Sequence, residues 1–249
     1  MNIEPVRFGI ISSANIGVRA VAPAIRASSN GKLLAVGSRN PQHAAELYSF
    51  APNVRIYESY EAIIADPEIE AVYIPLPNSL HAEWSIKAMQ AGKHVLCEKP
   101  LAVTREEGEE MFQAARDNQV LLMEAFMYRF HPQIVWALEQ VRAGLIGSVR
   151  LVRASFSFDI RSRTENIRLK PELAGGSLMD VGSYPLNLFR AIYERSPRSV
   201  AARVHVTGPT SVDLATNAVL DYGEGCFGIL DSSFGLPSRQ GQKLLVKLE

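Results

Sequence analysis

The chain of 249 residues is 47% hydrophobic and 21% charged, a globular balance that argues against extended disorder. Lys and Arg number 26, as do Asp and Glu, so no bulk field draws the chain to nucleic acid or to an anionic membrane. No apolar run approaches a bilayer span, no secretory signal precedes the first strand, and Cys97 and Cys226 lie outside any metal-like spacing. The expectation is a cytoplasmic protein with no metal, no nucleic acid and no membrane partner.

In chain order, strand-like runs alternate with helical ones, the pattern of a mostly parallel sheet. Val6 to Ile11 reads as the first strand, followed by the turn Ser12-Ser13-Ala14-Asn15-Ile16-Gly17 and a helix carrying Val21, Ala24 and Ile25. Against the dinucleotide fingerprint G-x-G-x-x-G the turn reads S-x-A-x-x-G, with only Gly17 retained. Small Ser12 and Ala14 partly meet the need for close backbone approach to a pyrophosphate, without glycine's freedom at positive φ. On its own the turn is either a phosphate loop or an ordinary strand-to-helix turn.

The second strand, Leu33 to Gly37, ends at Ser38-Arg39, where an acidic residue would bind the ribose of NAD. A hydroxyl and a guanidinium suit a 2′-phosphate instead, which favours NADP over NAD. Otherwise Arg39 is a surface cation ahead of Pro41 and its helix. Tyr57 to Tyr60 leads into a helix ending near Asp66-Pro67, and Ala71 to Ile74 forms the next strand. Pro75 and Pro77 hold an extended turn over the sheet rim, with Ser79 expected as N-cap of a helix that stops at Gly92. Asn78 and His81 then face the rim.

The run His94 to Glu98 is a buried strand that places Glu98-Lys99-Pro100 at its carboxyl end, where parallel sheets bind ligands. Taken alone, those three residues could equally be a solvated ion pair. Thr104 with Glu107 forms a capping box for a helix to about Asn118, and Val120 to Glu124 is the last strand of this half. Residues 1–125 thus read as a doubly wound, nucleotide-binding Rossmann domain.

Several stretches together resemble the glucose–fructose oxidoreductase and inositol dehydrogenase (Gfo/Idh/MocA) family of NAD(P)-dependent oxidoreductases. They are Gly9-Ile10-Ile11 with its turn, Pro77 to His81, Gly92 to Leu101, Glu124 to Pro132, and Gly175 to Tyr184. The resemblance implies that Lys99 sits beside the nicotinamide and the substrate hydroxyl, partnered by Tyr184 four residues after Asp180. Tyrosine at that position, with the Glu124 to Pro132 segment, looks more like the aldose (xylose) and dihydrodiol dehydrogenase branch. Cofactor contacts are expected from Ser12, Ser13, Ala14, Asn15, Ile16, Ser38, Arg39, Leu76, Pro77, Asn78, His81, Glu98, Lys99 and Arg129. The substrate implied is a sugar or vicinal diol.

After a helix from His131 to Ala143 the pattern changes. Val152, Ala154, Phe156 and Phe158 alternate with Leu151, Arg153, Ser155 and Ser157, the period of a sheet with one buried face. Ala218 to Tyr222 and Cys226 to Phe234 flank Gly223-Glu224-Gly225, a hairpin signal. Residues 126–249 read as an α+β domain with a mainly antiparallel sheet, and the resemblance makes it the substrate and oligomerisation domain. Arg161 to Leu173 reads as a long loop whose Arg161, Arg163 and Arg168 either reach a substrate or are solvated charges.

Asp180 and Tyr184, at i and i+4, share a helix face, and Pro185 predicts a kink or break there. Gly175-Gly176 would let the backbone approach a ligand closely. Tyr184 is a core tyrosine or, with Lys99, an acid/base: a free phenol with pKa about 10 is a poor base, and a nearby ammonium favours the phenolate. Family members continue beyond the position of Glu249, so the second sheet is expected to be shortened, with a last strand from Gln242 to Leu248 and an open face or edge that a second subunit covers. A catalytically weak NADP-binding sensor or regulatory subunit on the same fold is the alternative to an enzyme.

Overall fold

The computed structural model describes residues 4–160, 162–163, 165–206, 211–235 and 243–248. The chain divides into two compact units, Met1–Ala125 and Phe126–Glu249.

The first unit is built on a six-stranded sheet of β1 (Val6–Ile11), β2 (Gly31–Gly37), β3 (Arg55–Tyr57), β4 (Ala71–Ile74), β5 (His94–Cys97) and β6 (Leu122–Glu124). The strand order is β3-β2-β1-β4-β5-β6, and every pairing is parallel. Parallel strands need crossovers, and these are supplied by α1 (Ala22–Ala27), α2 (Pro41–Leu47), α3 (Tyr60–Ala65), α4 (His81–Gln90) and α5 (Arg105–Asp117). β4 is buried at every position, as a strand covered on both faces must be. The order reverses direction between β1 and β4, which places a topological switch point at their carboxyl ends.

Local chemistry sets the element ends. The Thr104 hydroxyl accepts the Glu107 N–H at 3.2 Å, while the Glu107 carboxylate returns to the N–H of Val103 at 2.8 Å, one residue earlier than in a standard capping box. Ser79 is not the N-cap of α4. A single 3₁₀ turn, Asn78–Leu80, follows Pro77 and runs directly into α4 with no side-chain cap, because the proline-held loop already delivers the chain in helical register. Gly92, at φ 76°, ends the helix as expected.

The second unit contains α6 (Pro132–Arg142) and α7 (Ser183–Tyr193), with a five-stranded sheet of β7 (Leu151–Ser157), β8 (Ser199–Val206), β9 (Asp213–Gly223), β10 (Cys226–Ser233) and β11 (Lys243–Leu248). The order is β11-β7-β10-β9-β8, mainly antiparallel, with β7 and β10 parallel because α7, β8 and β9 intervene between them. The expected last strand is present as β11, while Gln242 lies outside the described residues. β8 adds a strand beyond those expected from the sequence, and Val200, Ala202, Val204 and Val206 alternate along it. Val152, Ala154, Leu220 and Leu230 pack against Leu188 and Phe189 of α7, so one sheet face is covered. Gly228 permits this packing, since a Cβ there would meet the Phe189 ring at 2.8 Å.

Among the described residues, two helices carry an internal proline, and each opens with a π turn: Gly17–Val21 before Pro23, and Leu178–Gly182 before Pro185. A widened turn absorbs the hydrogen bond that proline cannot donate. Pro185 therefore produces a locally widened helix rather than a break.

Candidate active site

In the first unit the predicted cofactor residues gather at the carboxyl ends of β1, β2, β4 and β5. Ser12 adopts φ 135°, the conformation for which the fingerprint uses its first glycine. Its hydroxyl accepts the Ala14 N–H at 2.9 Å, so the turn is held by a side-chain bond. The first helical bond after it runs from Val18 N–H to Ala14 C=O, which leaves the Asn15, Ile16 and Gly17 N–H groups ahead of the helical ladder. Gly17 is buried under the Tyr48 hydroxyl, which a Cβ would approach to 3.3 Å. The cradle therefore has the small residues and N–H groups that a pyrophosphate requires.

At the end of β2, Ser38 is buried and Arg39 exposed. The Ser38 hydroxyl takes the Asn40 N–H at 3.1 Å and lies 3.4 Å from the Ser13 hydroxyl, so the β1 and β2 loops are joined through it. Arg39 is left as the cation beside that junction. This set fits a 2′-phosphate: a guanidinium is present and no carboxylate stands at the ribose position.

Beyond β4, Leu76 is buried, with Pro77 and Asn78 half-buried. His81 is fully buried, and its ring nitrogens lie 2.8 Å from the Pro100 and Leu76 carbonyl oxygens. Burial pushes the imidazole below its ordinary pKa, against the pull of the two carbonyls. The ring thus ties the β4 and β5 loops together, a different placement from the cofactor contact expected of it.

β5 delivers Glu98 and Lys99, followed by a cis Lys99-Pro100 peptide. Glu98 accepts the Tyr73 hydroxyl at 2.6 Å on one carboxylate oxygen and the Lys99 N–H at 3.2 Å on the other. Tyr73 is fully buried, and burial together with the Glu98 charge drives its phenol upward, so it remains a donor. Glu98 therefore anchors the backbone that carries Lys99. Tyr73, inside an apolar strand, gave no sequence signal of this role. Glu124 likewise fixes the loop by accepting the Leu101 N–H at 2.8 Å. Cys97 is buried, which raises its thiol to about 12 and makes it a core residue.

In the second unit Tyr184 is 7% exposed, with its ring against Phe126, Tyr128 and Phe156 at centroid distances of 5.3, 5.8 and 5.1 Å. Its hydroxyl lies 3.6 Å from the Met127 sulfur, a weak acceptor that a ligand oxygen can replace. Asp180, also buried, accepts from Arg168 Nε at 2.6 Å. Arg168 is therefore not a solvated loop charge. Its guanidinium also lies 5.9 Å from the Phe158 ring, and neighbouring Leu169 joins Phe158, Val181 and Phe234 in a small core. Arg161 lies outside the described residues, and Arg129 and Arg163 are exposed. The i, i+4 expectation for Asp180 and Tyr184 is modified by the π turn, and different partners hold the two side chains.

Gly175 and Gly176 serve the fold. A Cβ on Gly175 would overlap the Arg168 carbonyl, and one on Gly176, at φ 113°, would overlap the Asp213 carboxylate. Among the described residues no cluster of His, Cys, Asp or Glu could hold a metal, and no helix is long and apolar enough to cross a membrane.

The model of an oxidoreductase family with an NAD-binding Rossmann fold matches residues 6–126, and the GFO/IDH/MocA C-terminal domain model matches residues 134–249. The chain belongs to the Gfo/Idh/MocA oxidoreductase family. Within it, D-xylose 1-dehydrogenase (NADP(+)) 2 of Haloferax volcanii is 42% identical over 94% of this chain and 71% of that protein. Trans-1,2-dihydrobenzene-1,2-diol dehydrogenase of Xenopus laevis is 32% identical over 90% of this chain and 66% of its own length. Among solved structures, a 3-ketoreductase from Actinomadura kijaniata in complex with NADP and TDP-benzene superposes with a TM-score of 0.82 at 31% identity. That match covers 94% of this chain and 71% of the reductase. The chain thus spans about two thirds of the length of these Gfo/Idh/MocA relatives, all of them dehydrogenases or reductases.

Proposed function

We propose that the chain is an NADP-dependent oxidoreductase acting on a hydroxyl or carbonyl carbon of a sugar or vicinal diol. In this reading residues 1–125 hold the dinucleotide, and residues 126–249 hold the substrate and the contact with a second subunit. The observation that carries the reading is the Glu98-Lys99-Pro100 strand end at the dinucleotide rim of a chain 42% identical to an NADP-dependent xylose dehydrogenase. Structures of the Actinomadura reductase include a tyrosine-to-phenylalanine and a lysine-to-alanine variant, at positions whose separation is within one residue of that between Lys99 and Tyr184.

The Ser12 to Ile16 turn and Arg39 would hold NADP, which would supply the hydride acceptor for the carbinol carbon. Tyr184 takes the hydroxyl proton as the carbonyl forms, and in the reverse direction it returns that proton to the carbonyl oxygen. Lys99 is the residue proposed to supply the ammonium that such a reaction needs, since a positive charge favours the phenolate and an N–H can hydrogen-bond the reacting oxygen. Asp180, paired with Arg168, is a hydrogen-bond acceptor, which suits it to orient a second substrate hydroxyl rather than to give a proton.

The test is fluorescence titration with NADPH and NADH, followed by NADP reduction against a panel of aldoses and vicinal diols. Tighter NADPH binding and turnover of at least one substrate are expected. Tyr184→Phe should lower kcat by about 10²–10⁴ while leaving NADPH affinity in place. Near-normal kcat in that variant would remove Tyr184 from the mechanism. Tight NADPH binding with no turnover would favour a sensor or regulatory subunit.

A further inference from the structure

Asp213 opens β9, 33 residues beyond Asp180 in the sequence and outside every stretch that carries the family resemblance. Its Oδ2 accepts the Ser177 hydroxyl at 2.6 Å, the Leu178 N–H at 2.8 Å and the Thr216 hydroxyl at 2.8 Å. Ser177 caps and Leu178 begins the widened turn that carries Asp180 and leads into α7 at Ser183-Tyr184. The carboxylate therefore sits at the amino end of this helix, where N–H groups lack partners and negative charge is favoured.

Neighbouring groups lock the same point. Ser177 is fully buried, and its hydroxyl also lies 3.1 Å from that of Ser232 on β10. On the other side of the turn, the Gly176 N–H donates to the Arg168 carbonyl at 2.8 Å, and the Arg168 side chain holds Asp180. The Gly175-Gly176 pair lies between these anchors, which is why neither position has room for a Cβ.

We propose that Asp213 is a positioning residue for the acid/base turn: it fixes the rise and rotation of the helix start and, through it, the Tyr184 hydroxyl and the Asp180 carboxylate. This rests on the reading of Tyr184 and Asp180 as the reacting groups. A displacement of about 1 Å at a reacting group can cost on the order of 100-fold in rate, so the predicted effect falls on kcat. The dinucleotide cradle belongs to the other unit, and NADPH affinity should be spared.

The test uses Asp213→Ala and Asp213→Asn in the full chain, with tyrosine labelled at 13Cζ and the Tyr184 resonance assigned by its loss in Tyr184→Phe. For Asp213→Ala we expect a shifted Tyr184 resonance, a kcat lowered about 30-fold, and NADPH affinity within about threefold of the parent. Asp213→Asn retains an acceptor oxygen and should recover part of both losses. An unmoved Tyr184 resonance with kcat within about twofold, in a variant folded by circular dichroism, would overturn the proposal. A parallel loss of kcat and NADPH affinity would overturn it as well. If Asp213→Ala does not fold, Ser177→Ala removes one hydroxyl of the same anchor and is read by the same criteria. If the parent protein turns over nothing on the panel, the oxidoreductase reading fails, while the Tyr184 resonance still decides whether Asp213 positions the turn.

Discussion

On the proposed function, Arg39 and Ser38 would divide the work of cofactor choice unequally. The Ser38 hydroxyl is engaged with the Asn40 backbone and Ser13, so its first role is to shape the loop. Arg39 is exposed and is the side chain whose charge can answer a 2′-phosphate. Charge-assisted hydrogen bonds contribute about 1.5–3 kcal/mol, which corresponds to roughly 10–100-fold in affinity. Arg39→Ala should therefore weaken NADPH by that factor and leave NADH within about threefold, as measured by fluorescence titration of both. Equal weakening of the two cofactors would show that Arg39 shapes the loop instead. That Ser12, Ser38 and Arg39 follow strand ends at the rim was legible in the sequence, because the fingerprint fixes offsets from the first strand. The tie through His81 was not, since nothing local says that a histidine four residues after Pro77 will span two backbone carbonyls.

Elements were legible where periodicity is local. The apolar runs of β1 and β4 are bounded by turn chemistry, and the strand limits follow from it. What periodicity cannot carry is pairing across the chain. Arg168 with Asp180, Tyr73 with Glu98 and Ser177 with Asp213 are 12, 25 and 36 residues apart, and each determines how a site element is held. Asp66, at the carboxyl end of α3, illustrates the energetic consequence. Burial opposes its charge, but the Glu68 N–H at 2.9 Å, the Tyr57 hydroxyl at 3.1 Å and Arg55 at 2.8 Å, with Lys93 nearby, hold its pKa below the ordinary carboxylate value. A carboxyl whose folded pKa is depressed contributes stability above its unfolded pKa and loses it as pH falls through the folded value. Asp66→Asn should cost about 1–3 kcal/mol in urea unfolding at pH 7. The gap to the parent should narrow below about pH 4 as the parent's carboxyl takes up its proton. A gap that stays constant from pH 7 to pH 3 would show that charge is not what Asp66 supplies.

At the scale of the whole molecule, the sheet of the second unit has one face covered by α7 and one open. Register places Arg153, Ile229, Val219 and Ala201 in one row across the open face, with Leu151, Phe227, Asp221 and Ser199 in the next. Val219 is 44% exposed and Phe227 38%, interleaved with Arg203 and with the Asn217–Asp231 pair on the adjoining row. An antiparallel face destined for water is mainly polar, whereas each row of this one mixes apolar side chains with charges that can pair across a two-fold axis. If the proposed subunit contact forms here, a second copy of the same face would be the cover. A specific, stable contact buries about 800 Å² per partner, and an unpaired charge buried within one is costly. Val219→Asp with Phe227→Arg should therefore shift the protein from dimer to monomer in sedimentation velocity. Circular dichroism and NADPH binding should be preserved, because both side chains are exposed and lie outside the Rossmann sequence. A parent protein that sediments as a monomer at micromolar concentration would refute the arrangement directly. A dimer indifferent to both substitutions would place the contact elsewhere on the chain.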